Sequence, residues 1–115
     1  MLLVDTSVWI SHLRSTDERL ADALEAGVVL THPFVVGELA CGSLRGRDRF
    51  LRLLAALPAA TEATHAEVLQ LVERHRLHGR GIGWIDAHLL AAARLSGADL
   101  YTHDAALAEA WRRLA

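Results

Sequence analysis

Four carboxylates stand in stretches that otherwise read as buried. Asp5 directly follows the apolar run Leu2-Leu3-Val4, and Glu38 lies inside Phe34-Val35-Val36-Gly37-Glu38-Leu39-Ala40. Asp86 lies inside Ile82-Gly83-Trp84-Ile85-Asp86-Ala87, and Asp104 follows Leu100-Tyr101-Thr102 at the start of a helical pattern. Carboxylates gathered away from bulk water repel one another, so some take up protons unless a cation joins them. The chain has no lysine, no asparagine and one cysteine, Cys41, so the ligand set is hard oxygen, which suits Mg²⁺ or Mn²⁺. Two such ions can hold both the attacking and the leaving oxygen of a phosphodiester during in-line displacement. Each acid also has an ordinary reading. Asp5 and Asp104 could cap helices, Asp86 could be a first-turn acid on a helix dipole, and Glu38 could face solvent on an amphipathic helix. The shared apolar contexts favour a site.

Such a site needs a sheet and helices to carry it. Leu2-Leu3-Val4 is a short unbroken apolar run, expected as a strand buried on both faces. Val28-Val29-Leu30 and Leu100-Tyr101-Thr102 are expected as two more strands. Thr6-Ser7 can cap a helix beginning near Val8. Ser15-Thr16-Asp17-Glu18 fits a capping box for a second helix, closed by Gly27. Thr31-His32-Pro33 opens a third, running through Glu38 to about Cys41 before Gly42 and Gly46 break it. A fourth spans about Arg47 to Leu57 and stops at Pro58. Thr64-x-x-Glu67 is another capping box, leading a fifth helix with Val68, Leu71 and Val72. Gly79, Gly81 and Gly83 form a loop or hinge, a sixth helix runs from about Trp84 to Leu95, and Asp104 to Leu114 closes the chain. Short apolar strands alternating with helices imply an α/β layer sandwich with a mainly parallel sheet. In such a sheet ligands bind beyond the carboxyl ends of the strands, where Asp5 and Asp104 fall.

Composition bounds the rest. The 115 residues suffice for one small domain, expected over residues 1–115, and 52% apolar content allows a real core. Without lysine there is no G-x-x-x-x-G-K-[ST] phosphate loop, no Schiff-base lysine and no receiver-type acidic pocket with its lysine partner. Alanine, arginine, glycine and leucine dominate as GC-rich coding would have it, so the missing lysine reflects composition more than function. The longest uncharged stretch, Ala26 to Gly37, is interrupted by Pro33 and falls short of the about 20 residues a membrane span needs. With no basic leader or apolar signal core, a soluble cytoplasmic protein is expected. The formal net charge of −2 looks wrong for a nucleic-acid enzyme. Assigning four of the 14 acids to one pocket leaves ten against 12 arginines, a surplus of two positive charges elsewhere.

The same residues carry a family resemblance. Val4-Asp5-Thr6-Ser7-Val8-Trp9-Ile10, Val36-Gly37-Glu38-Leu39-Ala40, Ile85-Asp86-Ala87-His88-Leu89-Leu90-Ala91-Ala92-Ala93 and Leu100-Tyr101-Thr102-His103-Asp104-Ala105-Ala106-Leu107 resemble, in this order, the motifs of PIN-domain ribonucleases of the VapC toxin type. No single piece is specific, but four in order across almost the whole chain are. The resemblance implies a three-layer α/β/α sandwich whose acidic quartet, here Asp5, Glu38, Asp86 and Asp104, binds Mg²⁺ or Mn²⁺. Thr6 and Thr102 match small hydroxyl residues lining the family's site. It further implies metal-dependent endoribonuclease cleavage of RNA, silenced by a cognate antitoxin protein that occupies a groove and the active site. Homodimers, and operator DNA bound only through the antitoxin, follow from the same source. His103 stands where many relatives place arginine, and any final edge strand is expected to be short or missing.

Other features carry weaker expectations. His75-x-x-His78 lies at helical spacing, but neither Cys41 nor His65 completes a zinc pattern, so solvated helix histidines are expected. His12 and His103 could lie near the site, although water activated by a metal needs no imidazole. Arg45, Arg47, Arg49 and Arg52 form either a phosphate-contacting run or a solvated helix face. Trp9 and Trp84 flank two of the acids; packing under the site is expected over base stacking. Cys41 is expected as a small core residue. The apolar helices before Gly27 and over Phe50 to Leu57 either bury in the core or border a partner groove. Two rivals remain: a catalytically silent PIN-like module that grips RNA, and a phosphatase with Asp5 as nucleophile. The second lacks the usual second acid, since residue 7 is Ser, and has no lysine.

Overall fold

The computed structural model describes residues 1–114; the last residue of the expected 1–115 domain lies outside them. Its centre is β1 (Leu2–Val4), flanked by β2 (Val29–Leu30) and β3 (Asp99–Tyr101) in a parallel sheet of order β2-β1-β3. Leu3 pairs with Leu30 on one side and Leu100 on the other. Successive strand residues point to opposite faces, and Leu2, Leu3 and Val4 are all buried, so helices cover both faces of β1. The result is a three-layer α/β/α sandwich. One parallel bridge, Thr31 to Ala59, continues the sheet's edge beyond β2.

Among the described residues seven helices make the outer layers: α1 (Thr6–Arg14), α2 (Glu18–Glu25), α3 (Pro33–Ala40), α4 (Arg47–Ala56), α5 (His65–His75), α6 (Trp84–Ser96) and α7 (Ala105–Leu114). α6 is buried without a break from Ala87 to Ala93. Leu89, Leu90, Ala92 and Ala93 join the main core with Leu3, Val4, Val8 and Trp9, while Ala87 and Ala91 pack with Val68 and Ala63. A fully buried leucine such as Leu3 contributes about 1.5–3 kcal/mol through burial. This central packing fixes the positions of the strand ends and of the α6 N-terminus.

Several local expectations need correction. α1 starts at Thr6, not near Val8, because Asp5 ends the strand in extended conformation and the chain turns helical at once. Its N-cap, Asp5, makes no side-chain capping bond, so its carboxylate is free for other partners. α2 is capped by Asp17, whose carboxylate accepts the Leu20 N–H at 2.9 Å, and not by a box built on Ser15. His78 lies beyond the end of α5, where Arg76 turns left-handed (φ 51°), so the two histidines do not share a helical face. Cys41 is exposed, because α3 ends there and its flank opens to solvent. The Thr64 capping box on α5 is complete, with Thr64 and Glu67 bonded reciprocally at 3.1 and 2.8 Å.

Candidate active site

β1 leaves toward β2 while β3 lies on its other side, so the carboxyl ends of β1 and β3 border a crevice of the kind where open sheets bind ligands. Asp5 stands at the end of β1, and Thr102 and Asp104 follow β3. α3 brings Glu38 and the first turn of α6 brings Asp86.

Hydroxyls from the adjoining segments tie the acids together. Ser7 Oγ donates to Asp5 Oδ2 at 2.8 Å, and Thr102 Oγ1 donates to the same oxygen at 2.7 Å. Thr102 Oγ1 also accepts the Asp104 N–H at 3.0 Å, linking the two strand ends. Thr6 Oγ1 donates to Glu38 Oε1 at 2.9 Å. Asp86 Oδ2 accepts the Gly83 N–H at 3.0 Å, and Asp104 Oδ1 accepts the Leu107 N–H at 2.9 Å. Both ordinary readings therefore hold for Asp86 and Asp104: each secures a helix N-terminus. A common pattern remains. In each acid one carboxylate oxygen is held by a hydrogen bond, while the other accepts none among the described residues.

Burial is uneven, contrary to the expectation from the apolar contexts. Asp5 is 7% exposed and Asp86 half-buried, but Glu38 and Asp104 are exposed, because each lies near the open end of a helix. The electrostatics still couple three of them. Burial pushes the Asp86 carboxyl above its ordinary value; the Gly83 N–H opposes this, and the charges of Asp5 and Asp104 push it further up. Among the described residues no arginine or histidine forms an ion pair with any of the four acids. The donor set therefore fits a hard divalent cation: carboxylate oxygens, mutual repulsion and no resident counter-charge. No three acidic, histidine or cysteine side chains among the described residues close into a cage for an ion. Mg²⁺ suits such an open arrangement, since it keeps several waters and takes one or two carboxylates together with substrate phosphates.

Ser7 and Asp17 were not legible as site residues. Ser7 read only as a cap, yet its Oγ joins Asp5, Thr102 and the His103 N–H. Asp17 accepts the Tyr101 hydroxyl at 2.7 Å and meets His103 Nε2 at 3.1 Å, anchoring the segment that carries Thr102 and Asp104. Burial raises the Asp17 carboxyl, but the Leu20 N–H, Tyr101 and His103 outweigh it and hold it below its ordinary value. His103 is thus engaged by Asp17, and the His12 ring accepts the Asp17 N–H at 3.0 Å. Arg47 donates to the Ala40 carbonyl at 2.8 and 3.1 Å and closes the end of α3, while Arg45, Arg49 and Arg52 are exposed. Trp9 is buried under the site as expected; Trp84 is not, at 39% exposed, because it opens α6 at the rim.

A parallel α/β/α sandwich with four acids at the strand ends and flanking helices defines a class, and the chain belongs to it: it is a PIN-domain protein, with residues 2–112 matching that family's model. Within the family it falls among the VapC proteins. It is 52% identical over 105 residues to Ribonuclease VapC32 of Mycobacterium tuberculosis, in each of two strains, covering 90% of this chain and 85% of that relative. The structure is similar to the crystal structure of PAE2754 from Pyrobaculum aerophilum, with a TM-score of 0.64 at 18% identity over 95% of this chain and 78% of the other. That likeness concerns the fold.

Proposed function

We propose that this chain is the toxin of a type II toxin–antitoxin pair and acts as a metal-dependent endoribonuclease. The observation that carries the reading is the half-engaged acidic quartet: four carboxylates, each with one oxygen held and, among the described residues, the other accepting no hydrogen bond and no arginine or histidine paired with it. Its similarity to Ribonuclease VapC32 over nearly its whole length supports RNA as the substrate. Asp5 and Asp86 are the leading ligands for Mg²⁺ or Mn²⁺, and Glu38 and Asp104 complete the pocket. The chemistry that such an ion supplies is Lewis-acid stabilisation of charge on the phosphodiester.

The protein's own residues set the rest. Ser7 and Thr102 hold Asp5 Oδ2, which fixes the rotation of that carboxylate and turns Oδ1 outward from the pair of hydroxyls. Thr6 does the same for Glu38 across the crevice. Glu38 and Asp104, being exposed, orient water for attack and accept its proton. The remaining assignments rest on the family: a cognate antitoxin that silences the enzyme, a homodimer, operator DNA reached only through the antitoxin, a cytoplasmic setting and one domain over residues 1–115. No helix among the described residues is long and apolar enough to cross a membrane.

The test is cleavage of RNA by the purified chain with Mg²⁺ or Mn²⁺, with chelator, and by Asp5→Ala. Cleavage is expected only with metal, and Asp5→Ala is expected to lose it while keeping its helical circular dichroism. A folded Asp5→Ala protein with full metal-dependent activity would refute the site. RNA binding without cleavage by the unaltered protein would favour the silent module instead.

A further inference from the structure

Two exposed aromatic rings stand on helices that supply acids, Phe34 on α3 and Trp84 on α6, and have no role in the reading above. Phe34 is 37% exposed and Trp84 39% exposed, unusual for rings of this size in a chain with so few aromatics. Both belong to elements that supply acids. Phe34 precedes Glu38 by four residues on α3, so the two share a helix face, separated by about 6 Å of rise. They line one recess with Pro33, Gly37 and Cys41, and Ile85 from α6 forms its other wall. Trp84 opens α6 two residues before Asp86.

The rings are held in place from beneath. The His88 ring is buried and meets both, edge to face, with centroids at 4.8 Å from Phe34 and 4.8 Å from Trp84. His32, also buried, braces Phe34 at 5.1 Å, and its Nδ1 accepts the Phe34 N–H at 3.0 Å. His65 also meets Trp84, with ring centroids 4.9 Å apart. Rings fixed in this way lose little freedom when a flat partner settles on them.

We propose that Phe34 and Trp84 form a stacking platform for nucleobases of the substrate strand next to the phosphodiester held at the acids. This deepens the ribonuclease reading and rests on it. A nucleobase is the occupant favoured here because Phe34 shares a recess with Glu38, and Trp84 is joined to Phe34 through the His88 ring that both meet. Base stacking on an aromatic ring tolerates every base and needs only an accessible ring, and both of these are more than one-third exposed. The platform would therefore set where along a strand the enzyme cuts through preference for strongly stacking bases.

The experiment uses an oligoribonucleotide carrying a mapped cleavage site, with abasic residues placed singly on either side of it. In the unaltered protein one abasic position is expected to raise KM about 5- to 150-fold with kcat little changed, the range that loss of one stacked base gives. Trp84→Leu and Phe34→Leu are expected to raise KM on the intact strand by a similar factor, and the abasic residue should then cost nothing further. Trp84→Phe should restore most of the loss. An abasic penalty as large in Trp84→Leu and Phe34→Leu as in the unaltered protein would overturn the proposal. So would unchanged KM for RNA in both leucine variants alongside weakened binding of a protein partner, which would make the shelf a protein-docking surface. If the unaltered protein cuts no RNA with any metal, the ribonuclease reading fails separately. Quenching of Trp84 fluorescence by oligouridylate, with Trp84→Leu as the subtraction control, then decides the platform by itself: quenching upholds it and its absence overturns it.

Discussion

Thr102 is the joint of the site, and Thr102→Val isolates what its hydroxyl does. Valine keeps the shape, so no cavity forms and the strand end packs as before. Two hydrogen bonds vanish, the one donated to Asp5 at 2.7 Å and the one accepted from the Asp104 N–H at 3.0 Å, and with them the longer 3.3 Å contact with Ser7 Oγ. A bond to a charged carboxylate contributes about 1.5–3 kcal/mol and one between neutral groups about 0.5–1.5 kcal/mol. Thr102 is half-buried, so water replaces part of each, and the expected loss lies near the low end, about 2–3 kcal/mol. In a domain of this size that lowers the melting point by about 10 °C. Ser7 still holds Asp5 Oδ2, so the carboxylate is loosened and not released. Misplacement of that order is expected to lower kcat for RNA cleavage about 10- to 100-fold, with KM much less affected. Urea denaturation and steady-state cleavage with Mn²⁺ measure the two effects, and Thr102→Ser, which keeps the hydroxyl, should recover most of both. Thr102→Val within about 0.5 kcal/mol of the parent and equally active would show that the joint does not matter. A serine variant no better than valine would assign the effect to packing.

Three further outcomes follow from the same geometry. The folded-state value of Asp86 is raised, so its contribution favours folding below the ordinary carboxylate value of 3.8 and is lost as pH rises through its own higher one. Asp86→Asn keeps an acceptor for the Gly83 N–H; the metal-free variant should be more stable than the parent at neutral pH, with the advantage shrinking in acid, and a difference constant with pH would contradict this. His32 and His88 are held below 6.5 first by burial and then by neighbouring histidines, with Glu62 opposing, so their contribution is present above pH 6.5 and lost as pH falls through their lowered values. His88→Phe should flatten that acid slope in pH-dependent denaturation, and an unchanged slope would place the effect elsewhere. Ala92→Leu should cost about 1–3 kcal/mol by overpacking α6 against the core, read by thermal melting; a neutral result would mean the layer has slack.

The architecture was legible because its signals are short-range. Leu2-Leu3-Val4 has no polar residue to place on a solvent face, and Pro33, Thr64 and Gly97 mark helix ends through their own backbone chemistry. The four acids stood out as candidates because carboxylates interrupt apolar runs. What pattern could not give was the partner of each hydroxyl. From local pattern Thr6 and Ser7 read as caps, and only the family resemblance put Thr6 at the site; one bonds a residue 32 positions away and the other meets Thr102 across 95. Cys41 and Trp84 misled for one reason: each sits at a helix terminus, where an apolar neighbourhood in sequence no longer means an apolar neighbourhood in space. Asp17 has no signature at all, since its value comes from Tyr101 and His103 folding onto it.

The alanines of α6 acquire a use of their own. Ala92 and Ala93 join Leu89 and Leu90 in the main core, and Ala87 and Ala91 face the packing with Val68, so alanine serves on both flanks of the helix. Where a contact face carries only methyl groups, as on the side toward Val68, a helix sits close to its neighbour, while Leu89 and Leu90 fill the main core on the other side. The spacing leaves little scope for α6 to slide or rock. Because Asp86 is held to the first turn of that helix, the gauge of the alanine contacts becomes the gauge of the crevice. An alanine content that looked like the residue of nucleotide bias thus works as a ruler, setting how far one half of the acidic pocket stands from the other.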